Sequence, residues 1–207
     1  YLGLTAIGKI QRWEGTLLSV TVFAAFAYAF IGKQSGYIAR AAFTLMGVLY
    51  IGKLVSYFIA IRVLPDIGAY AAVDAIVIIA MTDIAGMLVG TTLGRTPLHP
   101  ISPKKTVEGA IGGVVVATIT SLLLGAFLPL HFAWWQNILI GVLTSVAAQA
   151  GDLVESALKR DADVKDAGSA IGDHGGVLDR FDSYLFGGII YFGCLHLTGI
   201  VPVRWPL

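Results

Sequence analysis

The chain has 207 residues, 57% of them hydrophobic and 13% charged, with a net charge of +1 and a mean hydropathy of +0.80. Soluble domains carry roughly 25% charged residues, so this composition excludes an ordinary soluble enzyme and places the chain among integral membrane proteins. The single cysteine, Cys194, lies in an apolar run and excludes an internal disulfide.

Stretches long and apolar enough for a membrane helix, about 20 residues, occur at 14–32, 41–61, 67–92, 109–129, 134–155 and 184–201. They predict an all-α integral membrane protein, a polytopic bundle of about six transmembrane helices forming one domain over 1–207. The chain opens at Tyr1, with neither a Met nor a signal-peptide pattern, and an N-terminal portion is expected to be missing. Only two connections are long and polar, 94–109 and 156–183. Lys33, Arg40, Arg95, Lys104, Lys105, Lys159, Arg160, Lys165 and Arg180 fall on their side of the bundle, against Lys9, Arg12, Arg62 and Arg204 on the other. The positive-inside rule therefore predicts that both polar loops are cytoplasmic.

Ionisable residues inside spans cost about 2.5–3.5 kcal/mol each on insertion scales and need a partner or a purpose. In the second and third spans these are Lys53, Asp74 and Asp83. Lys53 and Asp74 divide evenly between a purely structural pairing and a functional role. Asp83, followed by the small residues Ala85, Gly86 and Gly90, sits near the cytoplasmic end and reads as functional, as does Asp152 at the end of the fifth span. From Asp152, Ser156 and then Lys159 or Arg160 recur on one helical face, offering an acid for a cation and bases for phosphates.

The connection 156–183 reads SALKRDADVKDAGSAIGDHGGVLDRFDS and holds six of the thirteen acidic residues of the chain. Topology asks for bases in such a loop but gives no reason for the acids. Carboxylates are the hard ligands Mg2+ prefers, with substrate phosphates completing its shell, and Lys and Arg complement phosphate charge. In His174-Gly175-Gly176, glycine backbone N–H groups can approach an anion closely. A zinc site is not expected, for want of cysteine, and no Walker-type loop is present. The earlier loop, GRTPLHPISPKKTVEG, places Lys104 and Lys105 beside Ser102 and Thr106, either of which can cap the fourth span.

The run from Ser156 to Asp182 resembles the signature of the phosphatidate cytidylyltransferase (CDP-diacylglycerol synthase) family, meeting its fixed positions over 27 consecutive residues. ISPKKTVEG is similar to a second element of that family, Asp83 to its membrane aspartate, and Ala148-Gln149-Ala150-Gly151-Asp152-Leu153 to its lead-in. Val107 stands where the family commonly has Trp, and Gly172-Asp173 where Pro-Gly is common. The likeness covers the chain from about residue 66 on.

The resemblance implies transfer of a cytidylyl group from CTP to phosphatidate, with Mg2+ and with or without a second cation. It implies Asp152 and Asp179 as primary metal ligands, with Asp83, Asp166 and Asp182 as further ones. Lys104, Lys105, Lys159, Arg160, Lys165 and Arg180 would hold the triphosphate and the lipid phosphate. Ser102, Thr106, Ser156, Gly175 and Gly176 would line the substrates, and His174 would bind phosphate or protonate pyrophosphate. The partners implied are CTP, phosphatidate, the lipid bilayer and a second copy in a homodimer, with no nucleic acid, in a bacterial inner membrane. The rival readings are a CTP-dependent enzyme acting on another lipid, such as an ether-lipid cytidylyltransferase or a polyprenol kinase, and a cation transporter.

Overall fold

The structure, a computed structural model, describes residues 10–31, 35–164, 176 and 178–201, with the backbone alone for 10–14. Its described residues form six helices: α1 (Ile10–Ala29), α2 (Tyr37–Arg62), α3 (Gly68–Leu93), α4 (Val107–Phe127), α5 (Trp134–Asp161) and α6 (Leu178–Leu197). Four of them, α2 to α5, are long and apolar enough to cross a membrane, and α1 adds the apolar stretch Gly15–Ala29. The protein is an all-α polytopic membrane protein. Each helix overlaps one stretch read from the sequence, and α6 starts six residues earlier, so that Asp179, Arg180 and Asp182 are helical.

Successive helices run antiparallel. α3 packs on α4, α4 on α5 and α5 on α6, while the second half of α2 closes the group against α6, and α1 rests on α2. Without a hydrophobic force between helices in lipid, such packing rests on close approach of small residues. Gly86 and Gly90 on α3 face Gly109 on α4. A Cβ at Gly109 would lie 2.6 Å from the Gly86 carbonyl oxygen and 3.0 Å from Gly90 Cα. Large apolar side chains such as Phe23, Phe43, Ile111 and Phe127 point outward (76%, 70%, 60% and 82% exposed), as lipid-facing surface should.

The apolar core occupies one end of the bundle. Ile61 of α2, Ala71 of α3, Leu130 and Phe132 before α5, and Phe192 and Leu195 of α6 bury one another there. On the same half Tyr191 OH donates to Asp74 Oδ2 at 2.8 Å, both residues fully buried. Asp74 thus ties α3 to α6 and stands apart from the polar end. Lys53 lies 5.2 Å from the centre of the Tyr57 ring.

The other end carries the polar features. The 94–109 connection, read from the sequence as a loop, forms an antiparallel hairpin of β1 (Pro97–His99) and β2 (Ser102–Thr106), with Pro97 opposite Thr106 and His99 opposite Ser102. In a two-stranded ribbon every strand is an edge, which is why Pro97 and Pro103 are tolerated. Glu108, in the first turn of α4, pins its base. Its Oε2 accepts from the backbone N–H groups of Arg95 (3.1 Å) and Thr96 (3.2 Å), and its Oε1 from Thr96 Oγ1 (2.9 Å). Thr106 is the N-cap of α4, its Oγ1 accepting from Gly109 N at 3.2 Å. Of the two capping candidates, Thr106 serves.

Candidate active site

Three elements meet beneath the hairpin. α3 carries Asp83, α5 carries Asp152 in its C-terminal half, and β2 brings Lys104 and Lys105 to the same cavity. Together with Ser102, Thr106 and Gln149 these residues line a cavity of about 390 Å³. Lys105 Nζ forms an ion pair with Asp152 Oδ2 across 47 residues of sequence. Ser156 Oγ, one turn on, lies 3.5 Å from Asp152 Oδ1 as a long hydrogen-bond donor. Gln149 Nε2 donates to the Ala110 carbonyl at 3.2 Å and to Ser145 Oγ at 3.4 Å, holding α5 to α4 at the cavity floor.

A second cluster adjoins the first. Lys159 Nζ donates to Asp179 Oδ1 at 2.8 Å and pairs with Glu155, one turn back on α5. Asp179 Oδ2 accepts from Gly176 N at 2.7 Å, the carboxylate of an N-terminal turn reaching back to the backbone before it. Glu155 is 1% exposed, and a charge so buried requires a partner. Lys159 supplies it and joins the last turn of α5 to the first of α6.

Asp182 links the clusters. It lies within electrostatic reach of Asp152 and Asp83, as Asp83 does of Asp152 and Lys105. Ser183 Oγ donates to Asp83 Oδ1 at 3.3 Å, bringing α6 against α3 at this level. Asp83, Asp152 and Asp182 thus lie within electrostatic reach of one another, with Lys105 set among them.

Of the residues singled out from sequence, Asp83, Ser102, Lys104, Lys105, Thr106 and Asp152 line one cavity, Ser156 and Asp182 lie within reach of Asp152, and Lys159, Gly176 and Asp179 belong to the second cluster. Of the pair Lys159 or Arg160, Lys159 turns inward and Arg160 is exposed at the end of α5. Arg180 lines a separate apolar groove between α2, α3 and α6. Lys165, Asp166, His174 and Gly175 lie outside the described residues. Among the described residues no three acidic, His or Cys side chains converge as a ready-made metal cage.

Several members of this site are absent from the sequence reading. Glu108 and Gln149 lie inside quoted runs with no role, and Glu155 is not singled out there. The i, i+4 spacing of Glu155 and Lys159 was the available signal. Tyr50 had none. It sits in a wide π-helical turn of α2, Val48–Lys53, of the kind that recurs at functional sites. Its hydroxyl is buried without a hydrogen-bond partner among the described residues, within electrostatic reach of Asp182, Glu155 and Asp152.

The chain is 40% identical over 178 residues to a phosphatidate cytidylyltransferase of Bacillus subtilis (strain 168), covering 86% of this chain and 65% of that protein. It is 37% identical over 165 residues to that of Staphylococcus haemolyticus, covering 79% and 62%, and 39% identical over 165 residues to that of Staphylococcus aureus (strain COL). It therefore spans less than two thirds of the length of these relatives. Residues 2–198 match the model of the cytidylyltransferase family, and with that match spanning both charged clusters and all the helices that build them, the chain belongs to that family.

Proposed function

We propose that the protein transfers the cytidylyl group of CTP to phosphatidate, giving CDP-diacylglycerol and pyrophosphate, at the cytoplasmic face of a bacterial inner membrane. The observation that carries this reading is the cavity in which Lys104 and Lys105 stand over Asp83 and Asp152 at the polar end of a membrane bundle. Membership in the cytidylyltransferase family and the activity for which the relatives are named support it.

A phosphate monoester is anionic near neutral pH, so its oxygen can attack the α-phosphorus of CTP without a strong general base. The new P–O bond forms as the bond to the β-phosphate breaks, and pyrophosphate leaves with the electron pair. The task of the protein is to bring two anions together and steady the charge of the transfer. Lys104 and Lys105 are placed to take triphosphate oxygens, and Lys159 to take another phosphate once drawn from Asp179. Lys165 and His174 are proposed to complete the phosphate contacts.

The donor set suits Mg2+. Carboxylates are its preferred protein ligands, and it needs only one or two of them when phosphates and water fill the remaining octahedral positions, so a three-carboxylate cage is not required. Asp152 and Asp179 would hold it, with Asp83, Asp166 and Asp182 around them. When bound it would neutralise phosphate charge and align the leaving group. The test is Mg2+-dependent release of pyrophosphate from CTP by purified protein given phosphatidate. Release of CDP would mean a lipid kinase, and release only with another acceptor lipid would reassign the substrate.

A further inference from the structure

Arg180 belongs to the same signature as Asp179 and Asp182, yet it lines a different pocket from the one that Asp152 and Asp83 line. It lies at the end of a groove of about 410 Å³ formed by Val55 and Phe58 of α2, Ile76 of α3, and Phe181 and Tyr184 of α6. The groove is apolar apart from Arg180. The Phe58 and Tyr184 rings stand 6.1 Å apart, and Phe181 and Tyr184 5.8 Å. Phe181 and Ile76 are 52% and 45% exposed, on the lipid-facing side of the bundle.

The level of the groove follows from the ties between α3 and α6. Ser183 meets Asp83, and Tyr191 meets Asp74 deeper in the bundle. Arg180, one turn before Ser183, is therefore level with the polar cluster, and the groove descends from it along α6 towards the apolar core. One face of α6 presents Asp179, Asp182 and Ser183 to the charged site, and the neighbouring face presents Arg180, Phe181 and Tyr184 to the groove. A cation at the polar level with an apolar trough below it has the shape of one amphiphile, an anionic head above a hydrocarbon chain. Arginine is the side chain best fitted to grip a phosphate by two parallel hydrogen bonds.

We propose that this groove seats an acyl chain of phosphatidate, with Arg180 holding the lipid phosphate while the Lys104–Lys105 cavity holds the nucleotide. The signature's cations are thus divided between two substrates, held in two separate pockets. This rests on the reaction proposed above for the lipid's identity, and the binding itself can be read without turnover.

The test uses the protein in nanodiscs with phosphatidate carrying a photoactivatable group in its acyl chain, and phosphatidylcholine with the same chain as the control. Cross-linked peptides from α2 and the first half of α6, several-fold more abundant with phosphatidate, are the expected result. Equal labelling by both lipids would mean bulk lipid only, and labelling confined to the hairpin cavity would place the chain elsewhere; either overturns the proposal. Ile76→Trp, which fills the groove, and Arg180→Gln should each raise the KM for phosphatidate on the order of tenfold with the KM for CTP unchanged, and Arg180→Lys should restore part of the loss. An unchanged phosphatidate KM in both would also overturn it. Labelled groove peptides without pyrophosphate release would leave the groove standing and sink the reaction instead.

Discussion

Lys105 Nζ sits against Asp152 with the two side chains 28% and 26% exposed, so removing the lysine leaves a half-buried carboxylate facing the cavity proposed to accept phosphates. Lys105→Ala should raise the KM for CTP roughly tenfold, the scale of a lost charge-assisted contact. If steady-state kinetics show KM and kcat both unchanged, the lysine serves topology alone. Asp152→Asn keeps the shape and removes the charge, and should abolish Mg2+-dependent pyrophosphate release while the protein still elutes from gel filtration as the wild type does. Wild-type turnover in that variant would sink the metal assignment. Tyr50 poses a subtler case. Its ring packs 6.1 Å from Phe186, and Tyr50→Phe preserves that contact while deleting a buried hydroxyl set beside three carboxylates. A donor there serves either a carboxylate or what the carboxylates bind, so kcat should fall about tenfold with thermal stability unchanged. Equal kinetics would reduce Tyr50 to a packing residue.

At the scale of elements, the cavity exists because α3 and α4 cross closely enough to bring β2 over α5. Gly109 sets that distance, and Gly109→Val would drive methyl groups into the Gly86 carbonyl and Gly90. Overpacking of this kind costs about 1–3 kcal/mol, or roughly 2–10 °C in the melting temperature of a chain of this size, measurable by thermal unfolding in detergent. A melting point within a degree of wild type would show that the crossing has slack. The same elements show what the sequence made legible. Helix positions were readable because an apolar run of the right length has one stable form in lipid, and Asp83 and Asp152 stood out because charge is rare in such runs. The hairpin was not readable. Its strands are three and five residues long, too short for an alternating pattern, and Glu108 of α4 pins its base through backbone groups. Glu155 and Tyr50 were hidden for a related reason, since their roles depend on which face of a helix meets a neighbour. Arg180 shows the limit of motif reading most plainly, because adjacency in sequence put it beside Asp179 while the roughly 100° step of the helix turned it to the neighbouring face, where it lines the apolar groove.

The whole molecule is polarised along the membrane normal, with Ile61, Phe132 and Leu195 closing an apolar core at one end and the charged clusters gathered at the other. For the reaction proposed, that asymmetry has one functional consequence: a nucleotide is confined to the cytoplasm, so the clusters would face it. The chain's own chemistry makes this testable. Ala162 caps the C-terminal end of α5, immediately after Lys159 and Arg160 and exposed at the charged end. The only native thiol, Cys194, is 1% exposed in the core, so a membrane-impermeant maleimide meets no background from it. In Ala162→Cys, right-side-out vesicles should remain unlabelled and inverted vesicles should label fully, because the reagent reaches the thiol only from the cytoplasmic face. Labelling of right-side-out vesicles alone would invert the molecule. It would put Lys104, Lys105 and Asp152 where no CTP is found, and so remove the basis for a nucleotide-dependent reaction at this site.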